Sequence, residues 1–216
     1  MVEVMRAHST PSANSSQAKP LLIVVSGPSG AGKKTFLDHV AERFPETQRV
    51  TTYTTRFPRE GEKDGVDYRF ISGDEFEEKV HSGEIFESTR TYGDYQYGSP
   101  LDLISDRIDA PLVVELDVKG MARLKCSSAR RVVSIFIMPP SMEDLMKRIV
   151  SRPGDPPDNL ERRIDAAVQQ LDYAWSYDYI LVNDHLREFL RDVESVVSAE
   201  LVRQRGIEKM FDRIHS

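Results

Sequence analysis

Residues 21–36 read LLIVVSGPSGAGKKTF, and this stretch constrains the fold more than any other. Leu21–Ser26 is a short, continuous apolar run, rich in β-branched residues and closed by a glycine. That is how a parallel strand buried on both faces reads. Gly27, Gly30 and Gly32 let the backbone wrap closely round a phosphate chain with its N–H groups turned inward. Phe36, Leu37, Val40 and Phe44 then recur at helical spacing, so a helix N-terminus adds its dipole to the same anion site. Strand, glycine turn and helix together make the phosphate-binding pattern G-x-x-x-x-G-K credible. It spans Gly27, Pro28, Ser29, Gly30, Ala31, Gly32 and Lys33, with Lys33 a point charge for the β and γ phosphates. A glycine turn carrying a solvated lysine pair would not explain three glycines at this spacing. The pattern ordinarily continues with a hydroxyl for magnesium, but Lys34 stands there and Thr35 comes one place late. Lys34 either points outward from the helix start, touches a phosphate, or displaces the metal's usual ligand.

Further apolar runs at PLVVELD (111–117), VVSIFIM (132–138) and YILVN (179–183) read as strands of the same sheet. Helical patterns lie between them, so the expected core is α/β, a parallel sheet covered by helices on both faces. Ser72 with Glu75, and Ser141 with Asp144, are capping boxes that place two helix starts. Between residues 50 and 100 the texture changes to short pieces (VTTYTT, DYRFIS, EIFEST, DYQYGS) separated by Gly and Asp. These predict small antiparallel strands in an insertion standing off the main sheet. The tail from Leu186 is helical in period, with Gly206 as a break.

Composition narrows the function classes. A net charge of -6 opposes general nucleic-acid binding, which needs a basic face to collect phosphates. The single cysteine, Cys126, excludes an intramolecular disulfide and fits a reducing compartment. No apolar run reaches the roughly 20 residues of a membrane span. Residues 1–19, rich in Ser, Ala, Thr and Pro, lack the apolar region of a secretory signal and read as a disordered tail. The expected location is cytoplasmic.

A second phosphate site is suggested by TTRFPREGEKDGVDYRF (54–70). Arg56 and Arg59 flank a proline that keeps the backbone extended or turned, and two guanidinium forks with the Tyr68 phenol can converge on one phosphate. Taken with SGPSGAGK, IFES, YQYGSP, VVELDVKG, IFIMPPS, LMKRIVSR and YDYILVND, this stretch resembles the guanylate kinase family from residue 20 to the tail. The resemblance implies a P-loop sheet (20–50, 105–138 and 166–216), a mixed or antiparallel GMP-binding insertion (51–104) and a helical lid (139–165). It implies that Arg56, Arg59, Tyr68 and Tyr97 grip the phosphate of GMP, while Thr52, Glu87, Ser99 and Asp117 read the guanine or support its readers. Thr52 stands where the family often has serine, and Glu115 where aspartate is usual.

The chemistry of these residue types agrees. Guanine presents N1–H and N2–H donors beside an O6 acceptor; one carboxylate such as Glu87 accepts from both donors, and a hydroxyl donates to O6. Adenine lacks that donor pattern and would leave a buried carboxylate unpaired. Arg148 and Arg152 lie four apart on one helix face, and Arg163 begins the next helix. The resemblance makes these arginines the clamp on ATP and the transferring phosphoryl group. The turn PGDPPDN (153–159) departs from the acidic, Thr-rich turn usual in the family, and its prolines predict a stiffer lid. No catalytic base is required, since the attacking phosphate oxygen is already anionic.

The resemblance implies ATP with Mg²⁺, the ion held by phosphates and water, with Thr35, Glu115 and Asp117 as candidates to contact its bound waters. Nucleoside monophosphate kinases often carry glycine at the Lys34 position, so a hydroxyl there is dispensable to phosphates and water that complete an octahedral shell. The expected partners are ATP and GMP, with no nucleic acid or membrane; the expected assembly is a monomer, a homodimer staying open. Two other readings stand beside a GMP kinase. One is a non-catalytic module that holds phosphorylated protein partners in the GMP pocket. The other is a related kinase with a different acceptor, which would not need Thr52 and Glu87.

Overall fold

Strand β1 (Leu21–Ser26) has every residue fully buried, because it is covered from both sides. Successive side chains of a strand point to opposite faces, so each face of β1 nucleates its own core. Leu21, Ile23 and Val25 meet Phe36, Leu37 and Val40 of α1 (Lys33–Arg43) and Phe189, Val193, Val197 and Leu201 of α6 (Leu186–His215). Leu22 and Val24 meet Met121 and Leu124 of α3 (Val118–Ser127), together with Phe136 and Tyr177. Each large apolar side chain so buried contributes about 1.5–3 kcal/mol. The chain is described here from a computed structural model covering residues 18–90, 95–105, 108–151 and 160–215. The expected tail thus lies almost wholly outside the described residues, as do Arg152 and the proline-rich turn; of Arg163 only the backbone is described.

The main sheet has five strands, all parallel, in the order β2 (Gln48–Arg49), β7 (Leu112–Glu115), β1, β8 (Arg131–Met138) and β9 (Tyr179–Val182). Four of these are the apolar runs. The edge strand β2 is two polar residues with no strand signature, held because the Gln48 N–H donates to Pro111 and the Val50 N–H to Val113, both at 2.8 Å. Both central neighbours of β1 end near the phosphate loop, which fixes the site at the carboxyl ends of the strands.

The insertion forms a second sheet in the order β4 (Arg69–Phe70), β3 (Tyr53–Thr54), β6 (Gln96–Pro100) and β5 (Ile85–Arg90). It is mixed: β3 pairs parallel with β4, and the other pairs are antiparallel. Phe76 of α2 (Gly73–His81) packs it with Tyr53 and Ile85. Both capping serines do what their spacing predicts. Ser72 accepts from the Glu75 N–H at 3.1 Å, and Ser141 accepts from the Asp144 N–H at 3.0 Å at the start of α4 (Met142–Val150). The second box closes differently from its usual form, the Ser141 hydroxyl donating to the Asp144 carboxylate at 2.5 Å. Leu145 and Ile149 of α4 pack on Ala167 of α5 (Leu160–Leu171).

The expected break at Gly206 is corrected by the structure: α6 runs unbroken to His215. Gly206 is exposed with open space around it, and the Gln204 amide donating to Glu208 at 2.9 Å spans it on the neighbouring face. A lone glycine costs about 1 kcal/mol in a helix, too little to stop one anchored by Val193, Val197 and Leu201. Among the described residues no helix is long and apolar enough to cross a membrane.

Candidate active site

Close approach explains two loop glycines. A Cβ on Gly27, where φ is 149°, would stand 2.5 Å from the Ile137 carbonyl oxygen of β8. Gly32, the left-handed N-cap of α1 (φ 107°), would drive a Cβ into the side-chain amide of Asn183. That amide donates to the Ala31 carbonyl at 2.7 Å, so the end of β9 holds the loop from behind. Lys33 turns back over the loop, its ammonium donating to the carbonyls of Gly27 (2.7 Å) and Pro28 (3.0 Å) and lying 3.6 Å from Glu115.

From this loop a cavity of about 370 Å³ extends to the second sheet. Gly27, Ser29, Gly30, Gly32, Lys33 and Lys34 line one end, Glu115 and Asp117 from the end of β7 its floor, and the insertion the other end. The insertion contributes Thr52, Arg56, Arg59, Tyr68, Glu87, Tyr97 and Ser99, so residues up to 47 positions apart in their segment share one wall. Four expected site residues stand back from it. Pro28 and Ala31 are buried behind the loop, and Thr35 is exposed on α1. Arg148 runs beside Gly30 and donates to the Asn183 carbonyl at 3.1 Å.

At the phosphate-gripping end, Arg56 is buried. It donates to Glu62 at 3.0 Å, to the Phe57 carbonyl at 2.7 Å and to the Tyr97 hydroxyl at 3.3 Å. Its guanidinium also stacks on Tyr68, 5.4 Å from the ring centre. Burial disfavours the charge, but the hydrogen bonds it donates to Glu62 and Tyr97 outweigh that cost, so Arg56 remains a cation. Glu62 also accepts from the Arg59 N–H at 2.9 Å; burial would raise its carboxyl, and Arg56 and that N–H carry it below the usual range instead. Tyr68, edge-on to Tyr97, is held well above the usual phenol range by burial and by Glu115, so it stays a neutral donor.

The other end is acidic. Glu87 is buried on β5 and accepts from the Ser99 hydroxyl of β6 at 2.9 Å. Burial pushes its carboxyl up, Ser99 pulls it down, Asp117 pushes it up and Arg123, 3.4 Å away, pulls it down; the net shift is upward. Asp117 is the N-cap of α3, accepting from the Gly120 N–H at 2.7 Å, which leaves its second oxygen for other partners. Thr52, buried, lines the same cavity.

The sequence reading passed over four contributors: Glu62, Asp67, Arg123 and Asn183. Glu62, Asp67 and Asn183 lie inside motifs it quoted, but their tasks depend on contacts across the fold. Asp67 answers the question about Lys34, whose ammonium donates to it at 2.5 Å.

A parallel sheet with a phosphate loop after its central strand, facing a small sheet that carries arginines and a buried carboxylate, defines a P-loop nucleoside monophosphate kinase. The comparisons agree and narrow the class. The guanylate kinase family profile matches residues 19–200, and the chain belongs to that family. The guanylate kinase of Clostridium perfringens (strain SM101 / Type A) is 36% identical over 202 residues, 90% of this chain and 93% of that one. The guanylate kinase of Geobacter metallireducens is 39% identical over 196 residues, 89% and 96% of the two chains. The crystal structure of guanylate kinase from Anaplasma phagocytophilum superposes with a TM-score of 0.67 at 30% identity, over 86% of this chain and 89% of that one.

Proposed function

We propose that this chain transfers the γ-phosphoryl group of ATP to GMP, and to dGMP, giving the nucleoside diphosphate. The observation that carries the proposal is the single cavity in which the phosphate loop faces Arg56, Arg59, Tyr68 and the Glu87–Ser99 pair. GMP lies with its base on Glu87, Ser99, Thr52 and Asp117, and its phosphate on Arg56, Arg59, Tyr68 and Tyr97. Glu87 in its ionised form accepts from N1–H and N2–H of guanine. The loop 27–35 holds the ATP phosphates through its backbone N–H groups and the Lys33 ammonium, the Lys34 side chain being turned to Asp67 instead. Arg148, Arg152 and Arg163 complete the clamp on a lid spanning 139–165, which closes over a lobe spanning 51–104.

The reaction asks little covalent chemistry of the protein. A GMP phosphate oxygen attacks the γ-phosphorus in line, and the bond to the β-bridging oxygen breaks as the new one forms. No proton has to be removed. The arginines and Lys33 hold donor and acceptor in line and stabilise charge on the equatorial oxygens. Closure excludes water, which would otherwise take the phosphoryl group.

Glu115 and Asp117 offer hard oxygen donors at the floor beside Lys33, a set that suits Mg²⁺ held chiefly by phosphates and water. Such an ion, when bound, would supply positive charge to the donor phosphates. Thr35, exposed and off the cavity wall, is the weakest of the three candidates for its outer shell. The enzyme is a cytoplasmic monomer in this reading. The binding-module reading rests on Lys34 and on the altered lid turn, and the pairing with Asp67 supplies another account of Lys34.

A coupled assay over GMP, dGMP, AMP, CMP and UMP tests the proposal. GMP and dGMP should turn over at least a hundredfold faster than the others, a ratio within reach of hydrogen-bond discrimination. Lys33→Ala should abolish turnover. Faster turnover of AMP, or none with GMP, would overthrow the assignment.

A further inference from the structure

Lys34 occupies the loop position where a magnesium-binding hydroxyl is ordinarily found, yet its ammonium is engaged elsewhere. It donates to Asp67 at 2.5 Å and lies 3.4 Å from Asp38, one helical turn on. Asp67 belongs to the insertion, one residue before Tyr68, and its side chain is only 6% exposed. Its second oxygen accepts from the Lys63 N–H at 2.9 Å, fixing the carboxylate within its own segment. Arg49 of β2 closes the ring, 3.1 Å from Asp38 and 3.8 Å from Asp67. Two cations and two carboxylates thus join the start of α1, the edge of the main sheet and the segment that delivers Tyr68 to the cavity.

We propose that Lys34, although it sits in the donor-phosphate loop, is a positioning residue for the acceptor: through Asp67 it holds residues 63–68, and so Tyr68, against the loop. The charge balance supports this, since a neutral ring leaves Lys34 no surplus charge to direct at a phosphate. So does the direction of its titration, raised first by the hydrogen bond to Asp67, which keeps the pair ionised at neutral pH. The single-step link from donor loop to acceptor segment is what a hydroxyl at position 34 would be too short to make. The inference rests on the GMP-kinase reading.

The test measures binding, so turnover does not limit it. The affinities of Lys34→Met, Lys34→Ser, Asp67→Asn and the Lys34→Met/Asp67→Asn double variant for GMP and for a non-hydrolysable ATP analogue are determined by calorimetry. Each single variant should lose about five- to tenfold in GMP affinity, the range of a partly exposed pair with one buried member. The double variant should lose no more than one of them. Lys34→Arg should keep GMP affinity within about twofold, and all variants should keep analogue affinity within about twofold. Full GMP affinity in Lys34→Met, losses that multiply in the double variant, or a loss confined to the ATP analogue would each overturn the proposal. Lys34→Met removes an exposed side chain and so keeps the test open if Asp67→Asn does not fold. A wild-type protein that binds the analogue but not GMP would refute the GMP reading itself, an outcome distinct from the others.

Discussion

Glu87 shows how one side chain can carry selectivity. Its environment raises the cost of ionisation through burial and Asp117, and partly refunds it through Ser99 and Arg123. The balance leaves a buried carboxyl that is harder to ionise than usual, and whose carboxylate form is therefore sensitive to whether a ligand supplies two donors. Glu87→Gln keeps the shape but offers one acceptor and an NH₂ that opposes the guanine donors. The variant should lose about a hundredfold or more in kcat/KM for GMP while its affinity for an ATP analogue stays level. Retained GMP turnover would instead indicate an acceptor recognised without its base. The types of these residues were legible in the sequence because guanine's donor pattern dictates them. Their tuning was not: Arg123 reaches Glu87 from 36 positions away, and only the packing of α3 against β5 brings it there.

At the scale of elements, legibility followed burial. Strands in the interior of the sheet are mostly apolar and announce themselves, as β1, β7 and β8 do, and β9, though at an edge with Val182 half exposed, still keeps an apolar run. The two-residue strand β2 carries no such signal because an edge position buries little, and it is recruited by hydrogen bonds to its neighbour. Gly206 misled for a related reason: local propensity argued for a break, and tertiary anchoring of the preceding turns overrode it. This makes a stability prediction. Gly206 has helical surroundings, no atom within 4 Å of where a Cβ would sit, and no left-handed backbone to relieve. Gly206→Ala should therefore stabilise the protein by about 0.5–1 kcal/mol, raising Tm by about 1–4 °C with kinetics unchanged. A lowered Tm would mean that α6 is in fact interrupted there.

For the molecule as a whole, the seams between elements are held by carboxylates, and this sets its response to acid. Glu200 of α6 accepts from Tyr179 at 2.6 Å and from Arg131 at 2.5 Å, fastening the long helix to the sheet. Asp178 accepts from the N–H and hydroxyl of Ser134, at 2.8 and 2.7 Å, fastening the approach to β9. Glu62 organises the Arg56 turn, and Asp67 joins the insertion to the phosphate loop. In all four, burial works to raise the carboxyl, and hydrogen bonds and cations carry it below the usual range instead. A carboxyl lowered in the folded state contributes stability that is complete above its unfolded value, about 4, and is lost as pH falls through the folded one. Glu87, shifted the other way, regains a little stability over the same descent, one group against these four. Tm should thus be nearly level from pH 8 to 6 and fall steeply below about pH 4.5, where the unfolded chain begins to bind more protons than the folded one. Glu200→Gln should lower Tm at neutral pH and flatten the acid limb, because it removes one of the groups whose protonation drives the loss. Thermal melts of both proteins across this range decide the matter: parallel acid limbs would show that the seam carboxylates do not govern acid stability.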